Sequence, residues 1–90
     1  MSEHENSKDY ARLEIAVYPL GTGDISVSKE VSAIFDILEA SGLHYEITVM
    51  GTIMEGPVDQ LFGIARKLHD CMFSDTVRRV VTVIKIDDKR

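Results

Sequence analysis

Hydrophobic and polar residues alternate near the start of the chain, which predicts a β-strand. Leu13, Ile15 and Val17 are separated by single residues, so they share one face of an extended segment over residues 12–18. We expect that face to lie on a core. Pro19 follows, and because proline has no N–H to give to a neighbouring strand, the strand is predicted to stop there.

Two longer segments have apolar residues at helical spacing. The first is predicted to begin after Ser26, a favoured N-cap residue, and to end at Gly42, which tolerates the left-handed backbone common at helix ends. Its apolar positions are Val27, Val31, Ile34, Phe35 and Leu38. The second is predicted to begin at residues 56–57, where proline suits the first turn, and to close at residues 74–75. Its apolar positions are Val58, Leu61, Phe62, Ala65, Leu68, His69 and Met72.

The remaining segments predict three more strands. Residues 44–50 alternate with period two, and Gly51-Thr52 then offers a turn into a short strand at Ile53-Met54. The span between them leaves room only for an antiparallel hairpin. Residues 79–86 (RVVTVIKI) are rich in branched residues and almost continuously apolar, which predicts a central strand covered on both faces.

The predicted element order is β-α-β-β-α-β, which indicates an α+β fold of the ferredoxin-like type. Two interleaved right-handed βαβ units give a four-stranded antiparallel sheet with both helices on one face. Residues 10–90 form one domain in this interpretation, and the polar residues 1–9 form a disordered tail. The open sheet face is partly apolar, so we expect self-association. Its predicted residues include Ala16, Tyr18, Thr48 and Met50.

Composition and charge exclude several classes of protein. The 90 residues carry a formal net charge of −5, and no basic face gathers that would bind nucleic acid phosphates. No apolar run approaches the ~18 residues that a membrane span needs, so no membrane partner is expected. The single cysteine, Cys71, cannot form an internal disulfide, which favours a reducing, cytoplasmic location.

The sequence contains no recognisable catalytic set and no set of metal ligands, so neither catalysis nor a cofactor is expected. His69 and Cys71 are two residues apart on a predicted helix, hence on different faces, and make a poor metal pair. Gly21, Thr22 and Gly23 connect a strand to a helix, where free backbone N–H groups can hold an anion. The loop lacks the lysine of a phosphate-binding loop, and a tight connection that needs glycine explains it equally well.

Residues near position 52 combine side chains that suit a flat heteroaromatic ligand. Met50 and Met54 offer adaptable apolar contact, Thr52 offers a hydroxyl, and the Glu55 carboxylate accepts hydrogen bonds from an amino group. On an extended strand Thr52 and Glu55 point to opposite faces, unless the turn re-aims them. The alternative for Glu55 is a capping or surface role.

Four segments together resemble a known family. They are residues 19–28 (PLGTGDISVS), residues 41–45 (SGLHY), residues 50–56 (MGTIMEG) and residues 79–88 (RVVTVIKIDD). In this order and spacing the chain resembles the UPF0045 (DUF77) family of MTH1187/YkoF-like thiamine-binding proteins, from about Arg12 to Asp88. Pro57 departs from the family pattern, in which a polar residue commonly follows the glycine, but it suits a helix start.

The resemblance implies a ferredoxin-like subunit and a homotetramer built as a dimer of dimers. It also implies that the chain binds thiamine or its hydroxymethylpyrimidine moiety, with no established catalytic activity. The site residues that the resemblance implies are Ser26, Ser28, Tyr45, Met50, Thr52 and Glu55.

Three hypotheses follow. The leading one is a non-enzymatic protein that binds thiamine or a related pyrimidine in vitamin handling or sensing. The second is an oligomeric interaction or regulatory module without its own ligand. The third is a small enzyme that processes a phosphate at the loop formed by residues 21–28.

Overall fold

The computed structural model describes residues 10–20 and 27–90, in which strands and helices follow the predicted order. The elements are β1 (Tyr10–Leu20), α1 (Val27–Ser41), β2 (His44–Thr48), β3 (Gly51–Pro57), α2 (Val58–Asp70) and β4 (Arg79–Asp87). The strands form one antiparallel sheet in the order β2-β3-β1-β4, which confirms the ferredoxin-like fold. The predicted tail (1–9), the glycine loop (21–23) and Ser26 lie outside the described residues.

The core lies between the sheet and the two helices, as the alternation along β1 predicts. Leu13 and Ile15 are buried, and Leu13 lies opposite Met54 of β3, which is also buried. The helices contribute Leu38, Leu61, Ile64, Ala65 and Leu68 to the same cluster. Each of the large side chains that is removed from water in this way stabilises the fold by about 1.5–3 kcal/mol.

The opposite face of the sheet, called the outer face below, divides into a charged half and an apolar half. In the charged half one row crosses all four strands, because His44 and Arg12 both lie opposite Glu55, and Arg12 also lies opposite Asp87. The apolar half is formed by Ala16, Tyr18, Val81 and Val83. Ala16 and Tyr18 are therefore on the open face, as predicted.

The turn of the β2–β3 hairpin falls at Val49-Met50, so the predicted turn at Gly51-Thr52 is wrong. The Thr48 side chain explains the shift. Its Oγ1 accepts a hydrogen bond from the backbone N–H of Met50 (3.1 Å) and donates one to the carbonyl of Gly51 (2.8 Å). These two hydrogen bonds stabilise a turn that lies two residues before the predicted one. As a result β3 has seven residues, where the sequence predicted only Ile53-Met54.

Both predicted ends of the second helix are corrected. Pro57 is the last residue of β3 and the N-cap of α2, with φ −64° and ψ 141°, so the helix begins one residue later at Val58. The helix ends at Asp70, where residues 74–75 were predicted. The Ser74 hydroxyl accepts hydrogen bonds from the N–H groups of Thr76 and Val77, which builds a separate turn after the helix.

The predicted end of α1 is confirmed. Gly42 follows the helix with φ +73°, the left-handed conformation that glycine adopts at low cost. Ser41 reinforces this end, since its Oγ donates to the carbonyl of Leu38 (2.6 Å) and accepts from the N–H of Leu43 (3.1 Å).

The prediction that residues 79–86 form a central strand is wrong, because β4 is at the edge of the sheet and pairs only with β1 among the described strands. Its apolar side chains are consequently exposed on both faces, including Val81, Val83, Ile84 and Ile86. A continuous apolar run in the sequence does not show whether a strand lies at the centre or at the edge of a sheet.

Pro19 does not stop β1, which continues to Leu20 with Pro19 opposite Val80. Beyond Ile15 β1 has no partner in β3, so one side of the strand is an edge. Proline is tolerated on an edge because its missing N–H removes no ladder bond there.

We predict opposite effects for the same substitution at two glycines. Gly51 has φ +149°, and a Cβ there would lie 2.8 Å from the carbonyl oxygen of Ile15, so Gly51→Ala is expected to lower the free energy of unfolding by about 1–3 kcal/mol. Gly63 lies in α2, and a Cβ added there would meet no atom within 4 Å, so Gly63→Ala is expected to raise it by about 0.5–1 kcal/mol. Urea unfolding measures both, and equal effects would contradict the close approach at Gly51.

Candidate functional site

The structure distributes the predicted ligand contacts over two faces of the sheet. Tyr45 and Thr52 lie on the face covered by the helices, and Thr52 is opposite the core residue Ile15. Glu55 lies on the outer face, and Met50 is exposed in the hairpin turn. Thr52 and Glu55 therefore point to opposite faces, and the turn does not re-aim them.

Ser28 belongs to the first turn of α1, whereas Ser26 lies outside the described residues. The three residues of the predicted anion loop, Gly21, Thr22 and Gly23, are also outside them. The structure accordingly places the backbone of one of the two predicted serines and leaves the loop undescribed.

Glu55 forms an ion pair across the sheet with Arg12. Its Oε2 accepts from the Arg12 Nη2 at 3.0 Å and from the Nε at 3.3 Å, and its side chain is 40% exposed. Exposed pairs of this kind contribute at most about 1 kcal/mol. In this structure Glu55 has a surface partner on the outer face and does not approach Thr52.

Tyr45 joins two residues of α1 in a cluster at the helix-covered face of β2. Its hydroxyl donates a short hydrogen bond to Oε2 of Glu39, and its ring meets the Phe35 ring edge to face, with centroids 6.4 Å apart and planes at 80°. We call Phe35, Glu39 and Tyr45 the aromatic–carboxylate cluster. Edge-to-face ring pairs of this type fix the orientation of both rings.

The Glu39 carboxylate raises the pKa of Tyr45 above its ordinary value of 10.0. The main cause is the hydrogen bond itself, which requires the phenol to keep its proton. Desolvation and the negative charge of Glu39 act in the same direction. The phenol of Tyr45 is thus neutral and held in place over the physiological pH range.

Beyond this cluster, α1 and β2 present further exposed apolar side chains. Val31, Phe35 and Ile47 are 49%, 47% and 46% exposed, which is unusual for large apolar side chains on the helix-covered side. Thr52, opposite Ile47, is 6% exposed and belongs to the same face of the sheet. We use the name α1–β2 groove for the surface that these side chains form together with the aromatic–carboxylate cluster. Its residues are Val31, Phe35, Glu39, Tyr45, Ile47 and Thr52.

The spacing of residues along α1 and β2 relates further positions to the Phe35–Tyr45 contact. One helical turn and two strand residues each advance by about 6 Å, so Val31 comes level with Ile47 as Phe35 does with Tyr45. Apolar walls with a few placed polar groups are typical of small-molecule sites.

Sequence reasoning missed Phe35 and Glu39 as site residues. The helical pattern assigns Phe35 to the buried stripe and Glu39 to the polar face. Phe35 and Glu39 are four residues apart, so the sequence does indicate that they lie on one side of α1. What the spacing does not show is that β2 places Tyr45 against them.

A concave region lies on the outer face. It is a shallow depression of about 260 Å³ lined by Glu14, Ala16, Tyr18, Met50, Val83 and Lys85. Lys85 approaches Glu14 to 3.7 Å, so the two charges at its rim partly compensate each other. Tyr18 is the one aromatic residue among these lining residues, and Glu55 is not among them.

His69 and Cys71 have structural partners. The Nδ1 of His69 is 2.6 Å from Oγ1 of Thr82, and its ring contacts Phe73 edge to face at 5.3 Å. The Cys71 thiol donates to the carbonyl of Leu68. Within residues 10–20 and 27–90 no cluster of three metal-binding side chains occurs, and none of the helices is long and apolar enough to cross a membrane.

Comparison with known proteins relates most of the chain to one family. A family model described as thiamine-binding protein matches residues 13–90. The UPF0045 protein YqgV of Bacillus subtilis (strain 168) is 37% identical over 81 residues, which cover 86% of this chain and 78% of that protein. A UPF0045 protein of Methanothermobacter thermautotrophicus is 37% identical over 78 residues, covering 86% and 79% respectively.

Solved structures share the arrangement of strands and helices. MJ1052 from Methanocaldococcus jannaschii matches with a TM-score of 0.78 at 33% identity, covering 91% of this chain and 82% of that chain. A candidate thiamine biosynthesis or salvage protein from Thermotoga maritima, TM0486, matches with a TM-score of 0.72 at 20% identity, covering 89% and 84%. At that identity the second likeness concerns the fold alone.

We predict that Glu39→Gln lowers the pKa of Tyr45 toward its ordinary value, because the amide removes the negative charge and weakens the hydrogen bond. The raised pKa also means that this contact stabilises the fold below pH 10 and that its contribution is lost as pH rises through the folded-state pKa. Ultraviolet titration of the phenols measures the shift, with Tyr45→Phe identifying the signal. An unchanged titration curve for Glu39→Gln would contradict the contact.

Proposed function

We propose that this chain, which belongs to the thiamine-binding protein family, binds thiamine or its hydroxymethylpyrimidine moiety in the α1–β2 groove. The model of that family matches residues 13–90. The observation that carries the choice of site is the aromatic–carboxylate cluster, where two oriented rings and a carboxylate meet beside exposed apolar side chains. We assign the protein to vitamin handling or sensing without catalysis.

The cluster suits an aminopyrimidine. The Phe35 and Tyr45 rings offer apolar surface to a flat heterocycle, and the Glu39 carboxylate accepts from an exocyclic amino group. Tyr45 occupies Oε2 of Glu39, and a carboxylate with two oxygens has capacity for further donors. A hydrogen bond to a charged group of this kind contributes about 1.5–3 kcal/mol.

The rest of the ligand would extend along the groove toward the hairpin turn. Thr52 lies on the same face of the sheet as Tyr45, and we propose its hydroxyl as a further contact. We also propose Ser26, Ser28 and Met50 as contacts, because the family resemblance implies them. The cationic ring of thiamine is favoured by the net charge of −5, which draws cations toward the protein.

Glu55 defines a competing location for the ligand. It shares the outer face with the depression that Met50 lines, although it is paired with Arg12. A ligand bound there would have to compete with the Arg12 guanidinium for the carboxylate. We therefore place the exocyclic amino group of the ligand at Glu39. Substitution of Glu55 serves as the matched control for substitution of Glu39.

A binding function agrees with the bonding of the reactive side chains. The hydrogen bonds of His69 to Thr82 and of Cys71 to the Leu68 carbonyl engage both groups in structural contacts, and neither side chain lines the α1–β2 groove. We propose a cytoplasmic location, with the lone thiol of Cys71 as its support.

We predict that Glu39→Gln weakens thiamine binding about tenfold to a hundredfold, because the amide keeps the shape but removes the charge that accepts from the amino group. Glu55→Gln makes the same chemical change on the outer face and is expected to leave the dissociation constant within about twofold. Isothermal titration calorimetry with thiamine and with hydroxymethylpyrimidine measures both variants.

Two results would overturn this assignment. Absence of binding by the wild-type protein to either compound would remove the proposed function. A loss of affinity confined to Glu55→Gln would keep the function but move the ligand to the outer face.

We also propose that the chain assembles as a homotetramer, a dimer of dimers. Two separate apolar surfaces support it: the edge of β4 and the apolar half of the outer face. Stable protein interfaces bury roughly 1,200–2,000 Å² in total, and two distinct surfaces provide the two kinds of contact that such a tetramer requires.

A further inference from the structure

The depression of the outer face, called the outer-face depression below, lies apart from the proposed thiamine site. It has a volume of about 260 Å³ and is lined by residues of β1 and β4 and by Met50 of the hairpin turn. Pockets for drug-sized ligands have roughly 300–1,000 Å³, so this one suits a smaller molecule. Tyr45 and Thr52 of the α1–β2 groove lie on the opposite face of the sheet.

Small residues on two neighbouring strands account for the floor of the outer-face depression. Ala16 lies between Glu14 and Tyr18 in the row of outer-face residues of β1, and its side chain is only a methyl group. Gly51 of β3 comes next to Ala16, because a Cβ built on Gly51 would lie 3.6 Å from the Cβ of Ala16. Neither residue fills the space above the sheet, whereas the larger side chains around them do.

The walls of the outer-face depression are apolar and exposed. Tyr18, Met50 and Val83 line it, and each of these side chains is exposed. Val83 lies directly opposite Ala16, and Tyr18 comes two residues further along β1. Removing large apolar side chains from water is favourable, so these walls favour a ligand with an aliphatic part.

A pair of opposite charges lies at the end of the outer-face depression away from Tyr18. Glu14 and Lys85 are directly opposite each other on β1 and β4, and Nζ of Lys85 is 3.7 Å from Oε1 of Glu14. A charge-assisted hydrogen bond is shorter, about 2.7–2.9 Å, so each charge can take a closer partner. An exposed ion pair contributes little to stability, so a ligand that separates these charges meets little resistance.

We propose that the outer-face depression binds a free α-amino acid with an aliphatic side chain, such as leucine or methionine. The ammonium group of the ligand donates to the Glu14 carboxylate, and the carboxylate of the ligand accepts from the Lys85 ammonium. An α-amino acid has both charged groups on the same carbon atom, so it can reach two protein charges that lie side by side. Its side chain lies over Ala16, about 7 Å from Glu14 along β1, which is within the length of a leucine or methionine molecule.

The compensated charges of Glu14 and Lys85 select against other classes of ligand. Lys85 repels a simple cation, and Glu14 repels a carboxylate that has no ammonium group. An uncharged hydrocarbon would cover the apolar walls but give neither charge a closer partner. A zwitterion satisfies both charges, and the apolar walls favour an aliphatic side chain over a polar one.

Calorimetric titration of the wild-type protein with L-leucine and with L-methionine tests the proposed site. Saturable binding of one ligand per chain is expected. Glu14→Gln and Lys85→Gln each remove one charge, so each is expected to weaken binding at least about tenfold. Glu46→Gln and Lys89→Gln make the same changes at residues that do not line the outer-face depression, and are expected to leave the dissociation constant within about twofold.

Two further measurements test the contacts of the carboxylate and of the side chain separately. Leucinamide keeps the ammonium group and the aliphatic side chain but lacks the carboxylate, and it is expected to bind the wild-type protein at least about tenfold more weakly than leucine. Ala16→Ile fills the floor with a residue that strands favour, and it is expected to weaken leucine binding at least about tenfold. Val81→Ile is its control, since Val81 is on the same face but does not line the outer-face depression. Circular dichroism checks that each variant is folded.

Absence of saturable binding of both amino acids would overturn the proposal, and so would equal losses of affinity in Glu14→Gln and Glu46→Gln. Equal affinities for leucine and leucinamide would also overturn it. Ala16, Tyr18 and Val83 belong to the surface proposed above for self-association, so the titrations are repeated at a lower protein concentration, where a competing second copy would dissociate. The ligand and the face of the sheet differ from those of the thiamine titrations, so failure of one proposal does not imply failure of the other.

Discussion

The pairing of β1 on both of its sides determines which face of the sheet the paired residues of β3 and β4 occupy. β3 lies on one side of β1 and β4 on the other, and the strict alternation along β1 puts Leu13 and Ile15 into the core. A slip of one residue would expose these side chains and bury Arg12 and Glu14 instead, so the register is strongly fixed. The faces of Thr52 and Glu55 follow directly from it.

This constraint separates two surfaces with different chemistry. The helix-covered side has the α1–β2 groove, where rings, a carboxylate and a hydroxyl lie among apolar side chains. The outer face has compensated charges in one half and apolar side chains in the other. Ligand binding in the groove and self-association through β4 and the outer face can therefore coexist in one small domain.

Much of the fold could be predicted from the sequence, because it depends on local periodicity. The element order, the core face of β1 and the left-handed end of α1 at Gly42 all follow from short-range patterns. The position of the hairpin turn could not be predicted from its glycine, since the Thr48 hydroxyl closes the turn earlier. The edge position of β4 was missed because strand order depends on pairing between distant segments. For the same reason the α1–β2 groove was only partly predicted. Tyr45 and Thr52 were among the predicted contacts, whereas Glu39 was not, because its contact with Tyr45 joins α1 to β2 and does not follow from local spacing.

The most direct test of a thiamine site in the α1–β2 groove is an amide NMR titration of the wild-type protein with thiamine. We predict that the largest chemical-shift changes occur at Phe35, Glu39, Tyr45 and Ile47, with little change along the outer face. Changes concentrated instead at Glu14, Ala16, Glu55 and Val83, or no saturable change at all, would contradict a thiamine site in the α1–β2 groove.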